Sequence, residues 1–381
     1  MDAFTNATIY TGDDMRPHAA VLVEHGAVVA VVAADAIPAD ARRRDLGGAI
    51  LAPGFIDVQV NGGGGVLFND DPSVETIARI AAAHRRFGTT GLLPTLISDS
   101  REKRRAARAA VAAALTAGVP GVLGLHLEGP HLNPERRGVH DARWLAPPDD
   151  EDAALMAPLA AGCLPAGCLM VTLAPESVPL ELIARLAGAG VRVSAGHSTA
   201  GYDLTRAALA AGVTAFTHLF NAMPPIAGRE PGIAGAALDD DASWCGIICD
   251  GHHLHDATVR LAWRTKPAGK LFLVTDAMPP VGADAHGFRL GDEMISLNGG
   301  RCVTGDGRLA GSALDMATAV RNCVRRIGIP LAEALRMAST YPADFLGLSH
   351  RYGRIAPGFA ADMVTLDERL AVRETFIGGR A

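Results

Sequence analysis

The sequence predicts an α/β fold, a (β/α)8 TIM-like barrel with a small β-sandwich formed by both chain termini. Three observations predict it. Eight short apolar runs follow one another from Phe55 onward, helical patterns separate most of them, and the segments outside this alternation read as short strands without helices. Runs that are near-continuously apolar, rather than alternating, suit parallel strands covered on both faces. Eight such runs alternating with helices favour a closed barrel over an open doubly wound sheet.

The runs are Phe55 to Val60, Gly91 to Ile97, Gly121 to Glu128, Cys168 to Ala174, Val191 to Gly196, Thr214 to Leu219, Trp244 to Cys249 and Lys270 to Thr275. Helical patterns cover Val74 to Phe87, Arg101 to Ala117, Leu180 to Ala189, Leu204 to Ala211, Leu254 to Arg264 and Ser312 to Ile327. At the N-terminus, strand patterns at Thr8 to Tyr10, Ala20 to Glu24 and Val28 to Ala33 surround turn residues, and Asp362 to Leu366 and Val372 to Ile377 repeat the pattern at the other end. The expected division is therefore 1–52 with 349–381 in the β-sandwich domain, and 53–348 in the barrel domain. A Gly-rich stretch from Pro279 to Gly311 follows the eighth run and is expected to overhang the barrel mouth.

Composition excludes several classes. The chain has 381 residues, 49% hydrophobic and 20% charged, enough to bury a sizeable core without disulfides. A formal net charge of -6 provides no basic field for nucleic acid or an anionic membrane. The one basic run, Arg101, Lys103, Arg104, Arg105 and Arg108, reads as a solvated helix face. No secretory signal and no apolar stretch of membrane-spanning length is recognisable, so a cytoplasmic location is expected. The six cysteines, Cys163, Cys168, Cys245, Cys249, Cys302 and Cys323, form no C-x-x-C pair and read as buried small hydrophobes.

Barrel enzymes place their chemistry at the C-terminal ends of the strands. Here the third run ends in His126-Leu127-Glu128, the fifth leads into His197, the sixth contains His218, the seventh leads into Asp250-Gly251-His252-His253 and the eighth into Asp276. Singly, such a histidine reads as a hydrogen-bonded structural group and such an aspartate as a helix cap. Jointly, one carboxylate and two imidazoles supply the three protein ligands of a catalytic zinc that keeps a fourth position for water. Glu128, His197 and His218 are the expected ligands. Amide hydrolysis by that water still needs a group that takes its proton and passes one to the departing nitrogen, and Asp276 is the expected general base and acid.

The segments Pro53-Gly54-Phe55-Ile56-Asp57-Val58-Gln59-Val60-Asn61-Gly62, Leu127-Glu128-Gly129-Pro130, Ala195-Gly196-His197-Ser198, Thr217-His218-Leu219-Phe220-Asn221-Ala222-Met223 and Ala310-Gly311-Ser312 resemble the N-acetylglucosamine-6-phosphate deacetylase family of the amidohydrolase superfamily. Gly353-Arg354-Ile355-Ala356-Pro357-Gly358 and Ala361-Asp362 resemble that superfamily's closing strand. The resemblance implies removal of the acetyl group from an amino sugar phosphate. It also implies that His140 approaches the sugar and scissile amide, and that Asn221, Ala222, Arg229, His253 and Leu314 bind substrate, its phosphate in particular. A homodimer is implied too, because related enzymes can build the phosphate site across a subunit interface. Of the neighbours His252 and His253, only the second is expected in the site; His84, His131 and His286 read as structural or surface groups.

The chain departs from the wider superfamily in its first strand, where Asp57-Val58-Gln59-Val60-Asn61 stands in place of His-x-His. Gln59 cannot act as a strong zinc ligand, and the fourth strand lacks a metal-bridging lysine. One divalent metal is expected, with Gln59 in a supporting role; Zn2+ suits the set best, and Fe2+, Mn2+ or Co2+ also fit it. Other readings that keep the scaffold are a deacetylase of N-acetylgalactosamine 6-phosphate, a cyclic-amide hydrolase, and a metal-binding barrel without catalysis. A proton-shuttling Asp276 has no use in the last of these.

Overall fold

Each of the eight apolar runs forms a strand, in the expected order: Phe55–Val60, Thr89–Ile97, Gly124–Glu128, Cys168–Leu173, Arg192–Ala195, Ala215–Phe216, Trp244–Ile247 and Leu271–Leu273. The computed structural model describes residues 1–156 and 168–381, so Cys163 lies outside the described residues. Successive strands pair in parallel from first to eighth. The seam between the eighth and the first is closed just past the strand ends. Asp276 N–H donates to the Gln59 carbonyl at 3.0 Å, and Asn61 N–H donates to the Ala277 carbonyl at 2.9 Å. A fully buried carboxylate stitches the seam lower down: Asp57 accepts from the Thr275 hydroxyl at 2.5 Å and from Gln59 N–H at 3.2 Å. Burial pushes the Asp57 carboxyl up to about 7.

Close strand contact leaves no room for a side chain at Gly124, where a Cβ would lie 1.9 Å from the Cys168 carbonyl oxygen and 2.6 Å from its nitrogen. Both obstacles are backbone, and Cys168 N–H is itself bonded to the Leu123 carbonyl. Gly124→Ala is therefore expected to destabilise the protein by about 3 kcal/mol or more, at the upper end of what overpacking costs. A denaturant midpoint within error of the parent protein's would overturn that expectation.

The expected helices are present with ends no more than four residues from those predicted, as in Val74–Arg85, Arg101–Thr116 and Leu180–Gly188. Ser73 and Ser100 cap the first two by accepting the N–H of Thr76 and Lys103. The Arg101–Thr116 helix corrects the reading of its basic run. Arg104 and Arg108 are buried rather than solvated. Arg104 Nη2 donates to Asp152 Oδ1 at 2.8 Å, Arg101 Nε donates to the same oxygen at 2.9 Å, and Arg108 bonds the Leu155 carbonyl. The acidic partner stands on the helix Asp150–Met156, and no pattern local to Arg101–Thr116 announces it.

The terminal strands come together in one six-stranded sheet. Its order is Val372–Phe376, Met363–Leu366, Arg42–Pro53, Asp2–Tyr10, Met15–Glu24 and Ala27–Ala33. The long strand Arg42–Pro53 continues through Gly54 into the first barrel strand, which ties this sheet to the barrel. The Gly-rich stretch is ordered as a four-stranded antiparallel sheet, Gly287–Leu290, Glu293–Asn298, Arg301–Val303 and Leu309–Ser312, with its own small core of Leu67, Met278, Ile295, Cys302 and Ala310. Leu309 and Gly311 of its last strand line a pocket at the carboxyl ends of the barrel strands, so the sheet forms one wall of the mouth.

Candidate metal centre and catalytic pocket

Three residues distant in sequence meet at the carboxyl ends of the third, fifth and sixth strands. Glu128 Oε1 lies 3.2 Å from His197 Nε2 and 3.1 Å from His218 Nε2, and the two imidazole nitrogens are 3.0 Å apart. Tetrahedral ligands at about 2.0–2.1 Å from a zinc ion are roughly 3.3 Å from one another, so the three donors already stand close to the separations such an ion requires. The chemistry of the set fits as well. His197 Nδ1 bonds the Arg136 carbonyl at 2.7 Å, which places the ring proton there and leaves the Nε2 lone pair facing the centre. Burial opposes charge on both His218 and Glu128. Hydrogen bonding outweighs it: the Glu128 carboxylate raises the His218 imidazole, and His197 and His218 together hold the Glu128 carboxyl well below its usual range.

His140 also brings a nitrogen within 4.8 Å of Glu128 and His197, which makes it a rival for the third ligand position. Its hydrogen bonds argue against that role. His140 Nδ1 accepts the Ser98 backbone N–H at 3.2 Å, with the Ser98 hydroxyl at 2.8 Å. A backbone N–H can only donate, so the neutral ring carries its proton on Nε2 and presents a donor to the pocket. Burial pushes this imidazole down to about 3, so it is neutral.

Asp276 sits beside this triangle of donors. Gln59 Nε2 donates to Glu128 Oε1 at 3.1 Å and to Asp276 Oδ1 at 3.3 Å, and Asn61 Nδ2 donates to the same Asp276 oxygen at 2.6 Å. Gln59 thus spaces the two carboxylates. Burial, reinforced by the charge of Glu128, pushes Asp276 up to about 6. The backbone is strained where these groups are presented: His197, His218 and Asp276 have φ of 49°, 33° and 53°, and Phe220 and Ala222 have 76° and 54°. Left-handed conformations at non-glycine residues cost of order 1–3 kcal/mol each and cluster where function holds a side chain in place.

The pocket around this centre has a volume of about 160 Å3. Asn221, Ala222 and His253 line it, together with Glu128, His140, His197, His218 and Asp276. His253 is aimed by Asp250, whose Oδ2 lies 2.7 Å from its Nδ1. Two expected substrate contacts are not brought to it. Arg229 is exposed on the loop after the sixth strand and Leu314 is buried in the barrel core, and neither lines the pocket. Val139, Met278, Leu309 and Gly311 do line it. The roles of Asn61 and Ser98 escaped sequence reasoning because each acts through another side chain. His84 and His131 are buried and His286 is exposed, none of them lining the pocket.

Comparison with known proteins agrees with this geometry. Residues 50–381 match the model of the Amidohydrolase family, and residues 1–51 match that of the NagA composite domain. The chain belongs to the amidohydrolase family. Among curated relatives, it is 40% identical to the N-acetylgalactosamine-6-phosphate deacetylase of Shewanella sp. (strain ANA-3), over 98% of this chain and 94% of the relative. It is 35% identical to the N-acetylglucosamine-6-phosphate deacetylase of Haemophilus influenzae, over 99% and 98%. Among solved structures, N-acetylglucosamine-6-phosphate deacetylase from Pasteurella multocida superposes with a TM-score of 0.95 at 36% identity, covering 99% of this chain and 98% of that one. An aspartate-to-alanine variant of the Mycobacterium smegmatis deacetylase, in complex with N-acetyl-D-glucosamine-6-phosphate, superposes with a TM-score of 0.90 at 36% identity, covering 100% and 98%. This amidohydrolase is a hydrolase acting on a linear amide.

Proposed function

We propose that the protein removes the acetyl group of N-acetylglucosamine 6-phosphate, giving glucosamine 6-phosphate and acetate. The observation that carries this reading is the triangle of Glu128, His197 and His218 donors, with Asp276 spaced from it by Gln59. One divalent metal, Zn2+ in the first instance, is assigned to the triangle; there it supplies a Lewis acid and a water that ionises near pH 7. The remaining work belongs to the chain. Asp276 takes the proton of the attacking water and delivers one to the amide nitrogen, so that the C–N bond breaks to a neutral amine. His140 Nε2–H donates toward the acetyl oxygen as negative charge builds on it. Gln59 and Asn61 keep Asp276 in reach.

Asn221, Ala222 and His253 are assigned to the phosphate end of the substrate. Arg229 stands away from the pocket of its own chain, which fits a role in the pocket of a partner subunit and a homodimer. We assign residues 1–52 and 349–381 to one domain and 53–348 to the catalytic barrel. Among the described residues no helix is long and apolar enough to cross a membrane, and the phosphorylated sugar points to the cytoplasm. A second reading, N-acetylgalactosamine 6-phosphate as substrate, is favoured by the 40% identity to the Shewanella enzyme of that name.

Acetate release from both sugar phosphates and from unphosphorylated N-acetylglucosamine separates these readings. The expected outcome is a higher kcat/KM for N-acetylglucosamine 6-phosphate than for its 4-epimer, and a large loss without phosphate. A preference for the 4-epimer moves the assignment to the second reading, and no acetate from either sugar phosphate refutes both.

A further inference from the structure

We infer that a buried belt of hydroxyl groups and one imidazole beneath the proposed ligands positions them, with Thr172 as its central link. The inference rests on Glu128, His197 and His218 being a cation site. The belt starts at Thr95, whose hydroxyl accepts Val60 N–H at 2.9 Å and lies 3.2 Å from His126 Nδ1. His126 Nε2 is 2.7 Å from Thr172 Oγ1, which is 2.7 Å from Thr217 Oγ1. Thr217 Oγ1 is in turn 2.7 Å from Ser194 Oγ. These contacts run from the first strand through the second, third and fourth to the sixth and fifth, and no member is more than 2% exposed.

Barrel interiors are ordinarily filled by bulky branched apolar side chains. A polar layer here must be hydrogen-bonded throughout to offset its burial. Each hydroxyl has a single proton, so Thr172 and Thr217, each between two polar neighbours, are satisfied only if the three bonds from His126 to Ser194 all run the same way; Thr95 gives its own proton to the Leu93 carbonyl at 3.3 Å. That requirement fixes the rotamers and, through them, the relative heights of the strands.

The belt touches the ligands through the backbone. Thr217 immediately precedes His218, and His126 and Glu128 stand two residues apart on one strand and so face the same side. Gly196, directly before His197, rests on the belt, where a Cβ would lie 3.1 Å from Thr172 Cγ2 and 3.1 Å from Thr217 Cβ. His218 depends on this support more than His197 does. The Arg136 carbonyl orients the His197 ring from behind, whereas His218 Nδ1 is buried with no hydrogen-bond partner. Its place is set from below, by Thr217.

The test is Zn2+ affinity of the full-length protein, measured by competition with a chromophoric chelator. Thr172→Val keeps the shape and removes the oxygen joining His126 to Thr217. It is expected to weaken Zn2+ binding about 10- to 100-fold, as loss of outer-shell support does at other sites, and Thr172→Ser is expected to restore it. Thr89→Val, at an equally buried threonine whose hydroxyl has no partner, is expected to leave affinity unchanged and controls for a general loss of packing. Should Thr172→Val not fold, Ser194→Ala, which removes only the terminal hydroxyl, is expected to show a smaller loss in the same direction. Parental Zn2+ affinity in Thr172→Val, or in Ser194→Ala where that variant carries the test, overturns the belt's role. Failure of the parent protein to bind Zn2+ overturns the cation site itself.

Discussion

Replacing Asp276 by asparagine is expected to lower kcat by roughly 10²- to 10⁴-fold, the usual worth of a positioned general acid–base group, while bound metal stays in place. The side chain is nearly the same size, and Gln59 and Asn61 donate to its Oδ1, which an asparagine can still offer as an acceptor. What is lost is the ability to take and return a proton. The parent enzyme should also show an acidic limb. Burial and the Glu128 charge raise the Asp276 carboxyl to about 6, and only the ionised form can act as base, so turnover falls as pH drops through that carboxyl's pKa. A bound cation offsets part of the Glu128 charge and moves the limb to about 6 or below. The residual activity of the asparagine variant should lose this limb and keep only the one set by ionisation of the attacking water near pH 7. The check is kcat against pH for both proteins, alongside metal content. Parental turnover in the variant removes Asp276 from the proton path.

The strands were legible because parallel barrel strands are buried on both faces and leave near-continuous apolar runs; Phe55–Val60 matches its run to the residue. The convergence of Glu128, His197 and His218 was legible for a related reason, since a histidine or carboxylate at the end of such a run is conspicuous. Elements without a strong local signal were not. The helix Gly232–Asp239 is made of Gly, Ala, two larger apolar residues and a terminal Asp, and has no side-chain cap. The strand Arg42–Pro53 hides its apolar half behind three arginines and Gly47-Gly48. Contacts set by tertiary structure were invisible altogether, as with the Arg104–Asp152 pair and the Ser98 N–H on His140; for Gln59 a supporting role was expected, but not its partners Glu128, 69 residues away, and Asp276. Leu314 illustrates the converse: the resemblance implied a substrate contact, and its side chain is buried in the barrel core rather than at the pocket.

His218→Asn and His140→Asn should divide binding from catalysis. Both imidazoles approach Glu128 and His197, and distance alone does not choose between them as the third ligand. The choice is made by what the other ring nitrogen does. Because His140 Nδ1 must accept from the Ser98 backbone, its Nε2 carries the proton and has no lone pair for a cation. His218 Nδ1 meets no donor, so nothing prevents its proton from residing there and freeing Nε2. His218→Asn is therefore expected to lose most bound metal and, with it, measurable turnover. His140→Asn is expected to keep its metal and lose roughly 10²- to 10³-fold in kcat, as when one donor to a developing oxyanion is removed. Metal analysis of the two purified variants decides the matter: metal retained in His218→Asn and absent from His140→Asn would make the ligand set Glu128, His140 and His197 instead.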